Sequence, residues 1–188
     1  TKFMQVWGKI FRKSIIYENR IGFNTKMQLS EDSDFTLHYL MHCSRISISD
    51  TIFYHYSIDN ESTMRSNADK KVLQYIEVMN ITSKYIEKQH ENVQLAFNDY
   101  ILMHLNIACV RGIFCVNNKE NYVKKIEHIK KIINTPVFKD AIKKFHIKNN
   151  FSARTLPVFF MKYKLVHIAS IIYIVRAYQN YIYEKSRN

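Results

Sequence analysis

Glycine and proline are scarce in this chain, at 3 and 2 residues of 188, against average usage of about 7% and 5%. Few tight turns can form, and long helices are favoured. The scarcity also removes some chemistry. Gly8, Gly22 and Gly112 are too far apart for a dinucleotide fingerprint or a P-loop, which need clustered glycines so that backbone can approach phosphate. A self-sufficient nucleotide site of either kind is not expected. Cys43, Cys109 and Cys115 are odd in number and include no Cys-x-x-Cys pair. They argue against a disulfide framework or a zinc ribbon and fit buried thiols in a reducing compartment. No apolar run reaches about 18 residues and there is no signal peptide, so no clear transmembrane helix is expected. The first residue is Thr1 rather than Met, which suggests a processed or excised piece of a longer protein. Acidic residues are in deficit: 16 Asp and Glu stand against 28 Lys and Arg, a net charge of +12. Such a surface favours anionic partners: nucleotide phosphates, acidic lipids or nucleic acid. Solubility and an Ile/Lys/Asn-rich compositional bias explain it equally well, because the cations are scattered rather than clustered.

With 47% apolar and 23% charged residues, the chain reads as globular. It is long enough to bury roughly 70% of its unfolded surface as one domain, or one and a fraction. Its pattern divides near residue 66. Before that point the character is mixed. Alternation predicts a short strand over 3–11, one or two helical turns over 12–19, and short strands at 46–48 and 51–56. Ser30 reads as an N-cap, with Glu31, Asp32 and Asp34 in the first turn of a helix reaching about Cys43. A turn is expected at 59–62. Beyond residue 66, Val72, Tyr75, Ile76, Met79, Ser83 and Ile86 recur at helical spacing. Residues 93–116 read as a buried helix. Tyr122, Ile126, Ile129 and Ile133 form an amphipathic stripe. Pro136 opens a helix reaching about Phe145, a turn falls at 149–150, and a long aromatic and aliphatic helix broken once runs over 157–184. The expected fold class is α-rich α+β, with a small α/β part over 1–66 and a helical C-terminal domain over 67–188.

The candidate chemistry centres on Glu31-Asp32. Taken alone, two carboxylates in a first helical turn are explained by the macrodipole, worth roughly 0.3–1 kcal/mol each. Asp34, His38 and His42 at i, i+4 and i+8 would line one helix face; the spacing permits a metal, but a half-solvated face is the simpler reading. His90-Glu91-Asn92-Val93-Gln94 ends in Gln and so lacks the second histidine of a metalloprotease helix.

Context sharpens the carboxylate pair. Trp7-Gly8-Lys9-Ile10-Phe11-Arg12-Lys13-Ser14 resembles the Trp-x-Lys-Leu-Tyr-(Arg/Lys) stretch of family 2 glycosyltransferases. Ile21-Gly22-Phe23 through Glu31-Asp32-Ser33-Asp34-Phe35 resembles their Ile-x-Phe followed by Glu-Asp-x-x-Phe. Ile52-Phe53-Tyr54-His55-Tyr56 with Asn60-Glu61-Ser62-Thr63-Met64-Arg65 resembles their Leu-Tyr-Tyr-Tyr and Ser-Ile-Thr ending. The order and spacing match over about the first third of the chain. The resemblance implies the acceptor-side part of a GT-A type glycosyltransferase of bacterial capsule or exopolysaccharide assembly, with a remnant of its α/β sheet. It implies Asp32 as the general base toward an acceptor hydroxyl, with Glu31 orienting Asp32 or touching the acceptor. Trp7 and Lys9 would line the acceptor site, and His55, Ser62, Thr63 and Arg65 would lie near the diphosphate. Asp32-Ser33-Asp34 also spells Asp-x-Asp. In the family that motif closes the nucleotide-binding fold, whereas only 31 residues precede Asp32 here, so the base role is assigned instead.

The resemblance further implies a nucleotide sugar, a glycan or lipid-linked acceptor, and a divalent Mn or Mg ion in the full-length enzyme. The donor half is missing, so the isolated chain is expected to be inactive. A cytoplasmic location follows, with peripheral contact at the inner face of the plasma membrane left open. The competing class is a non-catalytic basic helical module that binds an anionic membrane or a protein partner. Nucleic-acid binding rests on charge alone and lacks a helix-turn-helix, zinc-finger or RNA-recognition signature.

Overall fold

The computed structural model describes residues 4–27, 29–55, 68–147 and 152–186. The chain divides into two compact units, Thr1–Ser62 and Thr63–Asn188. It is α-rich, and the described residues contain no β-strand.

The first unit holds two short helices, α1 (Lys13–Glu18) and α2 (Glu31–Leu40). An aromatic cluster organises it. The edge of Phe11 meets Phe35 and Tyr39, with ring centroids 5.3 and 4.8 Å apart, and Phe23 stacks on Phe35 at 4.6 Å. The backbone N–H of Arg12 donates to the Tyr39 hydroxyl at 2.6 Å, which fixes the segment before α1 against α2. Three acids in the first turn of α2 suit its positive end. Ser30 precedes the helix as expected, but its hydroxyl does not cap it. Its backbone is left-handed, at φ 61°, whereas a capping side chain needs an extended backbone to face the first free amides. Its carbonyl still accepts the Asp34 N–H at 2.9 Å.

The expected strands are replaced by irregular chain. Ile46, Ile48 and Ile52 are 68–77% exposed, and no described strand lies beside them to take up their backbone hydrogen bonds. A local bend also intervenes: the Thr51 N–H donates to Ser49 Oγ at 3.2 Å, an alternative partner to a sheet ladder. Phe3 and Tyr56, at the ends of two expected strands, and the turns at 59–62 and 149–150 lie outside the described residues.

The second unit is a helical bundle: α3 (Ala68–Ile86), α4 (Glu91–Ile107), a π-helical segment (Ala108–Ile113), α5 (Tyr122–Ile133), α6 (Pro136–Lys144), α7 (Leu156–Lys162) and α8 (Val166–Lys185). Met79, Leu105, Ile113, Ile129, Ile132, Phe138 and Tyr173 form its core. The helix expected to continue through Val116 widens into the π turn after Ile107. This places Ala108, Cys109, Val110, Gly112 and Ile113 inside and leaves Arg111 outside. The α5 helix begins where Asn121 Oδ1 accepts the Lys124 N–H at 2.9 Å. The break between α7 and α8 is a Schellman turn. Leu165 N–H reaches Phe160 O at 2.8 Å, Lys164 N–H reaches Met161 O at 2.9 Å, and Lys164 takes the left-handed position at φ 62°.

Candidate functional site

The first unit gathers part of the sequence-derived site. Gly8 has φ 67°, a conformation that strains any residue with a Cβ, and it turns the chain between Trp7 and Lys9. Trp7, 42% exposed, stacks on Tyr54 with centroids 5.9 Å apart and planes 20° apart. Lys9 is half-buried and donates to the Gln5 carbonyl. Burial pushes its ammonium pKa down, and the negative charge of Asp32 opposes that shift. The Lys9 and Asp32 charges therefore lie within reach of each other. Glu31 and Asp32, in the first turn of α2, are both half-buried.

Asp34 is the carboxylate that the sequence undervalued. It is only 5% exposed, and its Oδ1 lies 3.6 Å from His38 Nε2, one turn along α2. That separation is an ion-pair contact but too long for a good hydrogen bond. Burial raises the carboxyl pKa and the His38 charge partly offsets this. The hydroxyl of Thr36, fully buried nearby in sequence, has no hydrogen-bond partner among the described residues. The i, i+4 pairing of Asp34 and His38, read with the aromatic Phe35 and Tyr39, was the signal available. The carboxylate could have been placed on the inner side of α2 only by knowing that Phe11 and Phe23 pack there.

His42 lies beyond the end of α2 and is exposed, so the stripe with Asp34 and His38 does not extend to it. His55 is exposed. Ser62, Thr63 and Arg65 lie outside the described residues. Among the described residues, no three His, Cys, Asp or Glu side chains are grouped to hold a metal ion.

The second unit carries buried polar groups of its own. Asn106 donates to the carbonyls of Leu102 at 2.9 Å and Arg154 at 3.1 Å, and its Oδ1 accepts from Arg176 at 3.3 Å. Burial pushes the Arg176 guanidinium pKa down, and Arg154 adds repulsion. Burial also raises the Cys109 thiol, which lies beside the Tyr173 phenol, and lowers His104 to about 4. Cys43, Cys109 and Cys115 are all free thiols; Cys109 is buried, and the other two are half-buried.

Over 186 residues, 97% of this chain, the sequence is 22% identical to "Putative glycosyltransferase EpsH" of Bacillus subtilis (strain 168). The chain spans about half of that protein's length, 53%. The similarity is thus to a glycosyltransferase and extends through the helical unit as well as the first. No family model and no solved structure matches the chain.

Proposed function

We propose that this chain is the acceptor-side part of an inverting family 2 glycosyltransferase of the GT-A type that works in surface polysaccharide assembly. The observation that carries the reading is the similarity to "Putative glycosyltransferase EpsH" over nearly the whole chain, together with the placement of the Trp-Gly-Lys segment and the Glu-Asp helix in one unit. Asp32 takes the proton from an acceptor hydroxyl, and that oxygen attacks the anomeric carbon as the nucleoside diphosphate leaves on the opposite side. A carboxylate is needed because a neutral hydroxyl is a poor nucleophile, and general-base help is worth about 10²–10⁴ in rate. Asp32 suits this role better than Asp34, because its half-exposed side chain can meet a substrate while Asp34 is buried. Glu31 orients Asp32, and Trp7 offers an exposed aromatic face to a sugar ring.

His55, Ser62, Thr63 and Arg65 are assigned to the diphosphate side. Among the described residues no three metal-ligating side chains are grouped; the divalent Mn or Mg ion that the resemblance implies is assigned, with the nucleotide sugar, to the donor half of the full-length enzyme. In this reading the isolated chain is inactive, and the full-length enzyme works on the cytoplasmic side and meets a glycan or lipid-linked acceptor at the membrane.

The test is Asp32→Asn in the enzyme completed by its nucleotide-binding half. Turnover of the nucleotide sugar is expected to fall by about 10²–10⁴. Turnover within a few fold of the unsubstituted enzyme would show that Asp32 is not the base.

A further inference from the structure

The last helix is apolar on its buried side and along an exposed flank. Val166, Ala169, Ser170, Tyr173 and Ala177 face the bundle. Along the flank, Ile171, Ile174, Val175, Tyr178, Tyr181 and Ile182 follow one another at helical spacing and are 39–60% exposed. An exposed apolar stripe of this length marks an interaction surface. No described helix is long and apolar enough to cross a membrane, so a lipid contact would lie along the surface rather than through it.

We infer that the outer face of α8 lies flat on an anionic lipid bilayer. Charge selects this occupant. Across residues 156–185 there are four cations and one acid, Glu184; Lys162 donates to the Phe145 carbonyl and Arg176 to Asn106, which leaves Lys164 and Lys185 for the headgroups. The exposed Lys164 and Lys185 stand at the two ends of the stripe. Two copies paired along this face would set Lys164 against Lys185 if antiparallel, or each lysine against its twin if parallel. Parallel pairing opposes like charges, and antiparallel pairing gains little because Lys185 offsets the attraction of Lys164 to the neighbouring Glu184. Anionic headgroups neutralise both ends while the acyl boundary takes the isoleucines, and the tyrosines suit the interface because they have an apolar body and a polar tip. Arg176 does not compete for the lipid, because it donates to Asn106 inside the unit. The inference develops the membrane-contact part of the reading above and is independent of the transfer chemistry.

Vesicle flotation of the whole chain tests it. Binding is expected to vesicles containing phosphatidylglycerol, to weaken with salt, and to be much lower on phosphatidylcholine alone. The double variant Ile171→Asp, Ile182→Asp is expected to lower binding by at least about tenfold, with an unchanged circular dichroism spectrum because both sites are exposed. Lys164→Glu with Lys185→Glu is expected to abolish the salt dependence. Failure of the wild-type chain to float with anionic vesicles overturns the inference. So does undiminished binding by the aspartate variant, or a dimer seen in sedimentation equilibrium that the aspartate variant dissolves. Flotation involves no sugar transfer, so a negative result leaves the Asp32 reading standing, and a failed Asp32 test leaves this one standing.

Discussion

His38 stands one helical turn after Asp34, with its Nε2 3.6 Å from the Asp34 Oδ1, and Asp34 is the most buried carboxylate among the described residues of the first unit. Burial raises the Asp34 pKa more than His38 lowers it. The sign of the pH effect follows from linkage. Below the ordinary aspartate pKa the group is protonated in both folded and unfolded states and contributes nothing. As pH rises into the window between the ordinary and the raised value, only the unfolded chain releases its proton, so stability falls. Asp34→Asn is therefore expected to raise the melting temperature of the first unit at neutral pH and to flatten its pH dependence just above the ordinary aspartate range, as followed by circular dichroism. A lower melting temperature at neutral pH would mean that attraction to His38 outweighs burial.

His104 predicts the opposite slope in the second unit. Its ring is buried, with Nδ1 3.1 Å from the Tyr100 carbonyl and Tyr100 packed against it at 4.2 Å, and its pKa is pushed down from 6.5 to about 4. The neutral ring is favoured in the fold, so this contribution is complete above the unfolded value and is lost as pH falls from 6.5 toward about 4. A shift of this size corresponds to about 3 kcal/mol at most. His104→Gln is expected to remove most of the acid sensitivity of the helical unit in urea unfolding between those pH values. An unaltered slope would assign the sensitivity to other groups.

Two cations occupy positions that usually favour glycine. Arg20 after α1 and Lys164 after α7 both have left-handed backbones, at φ 51° and 62°, and each closes its helix with a Schellman pair of hydrogen bonds. A side chain in that conformation costs roughly 1–2 kcal/mol, which glycine avoids at some entropic cost in the unfolded chain. Lys164→Gly and Arg20→Gly are each expected to gain about 0.5–1 kcal/mol in denaturant unfolding. A loss at either site would show that the side chain makes a compensating contact.

Asn106 joins three segments through one buried amide: α4 through Leu102, the 152–155 turn through Arg154, and α8 through Arg176. Asn106→Ala leaves Arg154 O without this donor and Arg176 without this acceptor, in a region where Arg176 is already desolvated. The expected cost is about 2–3 kcal/mol, read as a lower urea midpoint with an unchanged slope. Asn106→Asp should behave differently, because a carboxylate can pair with Arg176 but cannot donate to Arg154 O.

Helices with a clean apolar stripe were legible from the residues. The α5 helix runs over Tyr122–Ile133, the ends of the expected isoleucine stripe, and Pro136 opens α6. Both signals are local, a 3.6-residue period and a residue that fits the first turn. The break in the last long helix was expected too, although its cause, a lysine in the left-handed position, carries no sequence mark. The π turn at 108–113 was not legible, because its residues are as apolar as those of an ordinary buried helix. The strand expectations at 46–48 and 51–56 rested on β-branched and aromatic residues alone. Such residues make a strand only when another strand lies alongside, which no local pattern reports.

The candidate site was legible as two motifs and illegible as a surface. Trp-Gly-Lys and Glu-Asp could be named from their residues, and the fold does bring Lys9 into the field of Asp32. What joins them is long-range packing. Phe11 against Phe35 and Tyr39 spans more than twenty residues, and nothing in either motif specifies that contact. The burial of Asp34 is a by-product of the same cluster, which is why its spelling suggested several roles and its position only one.

Trp7 is the sole indole of the chain and lies partly open on the ring of Tyr54. The protein therefore carries a built-in optical reporter in the first unit. Its emission will follow any saccharide that lands on that face, without a label and without catalysis.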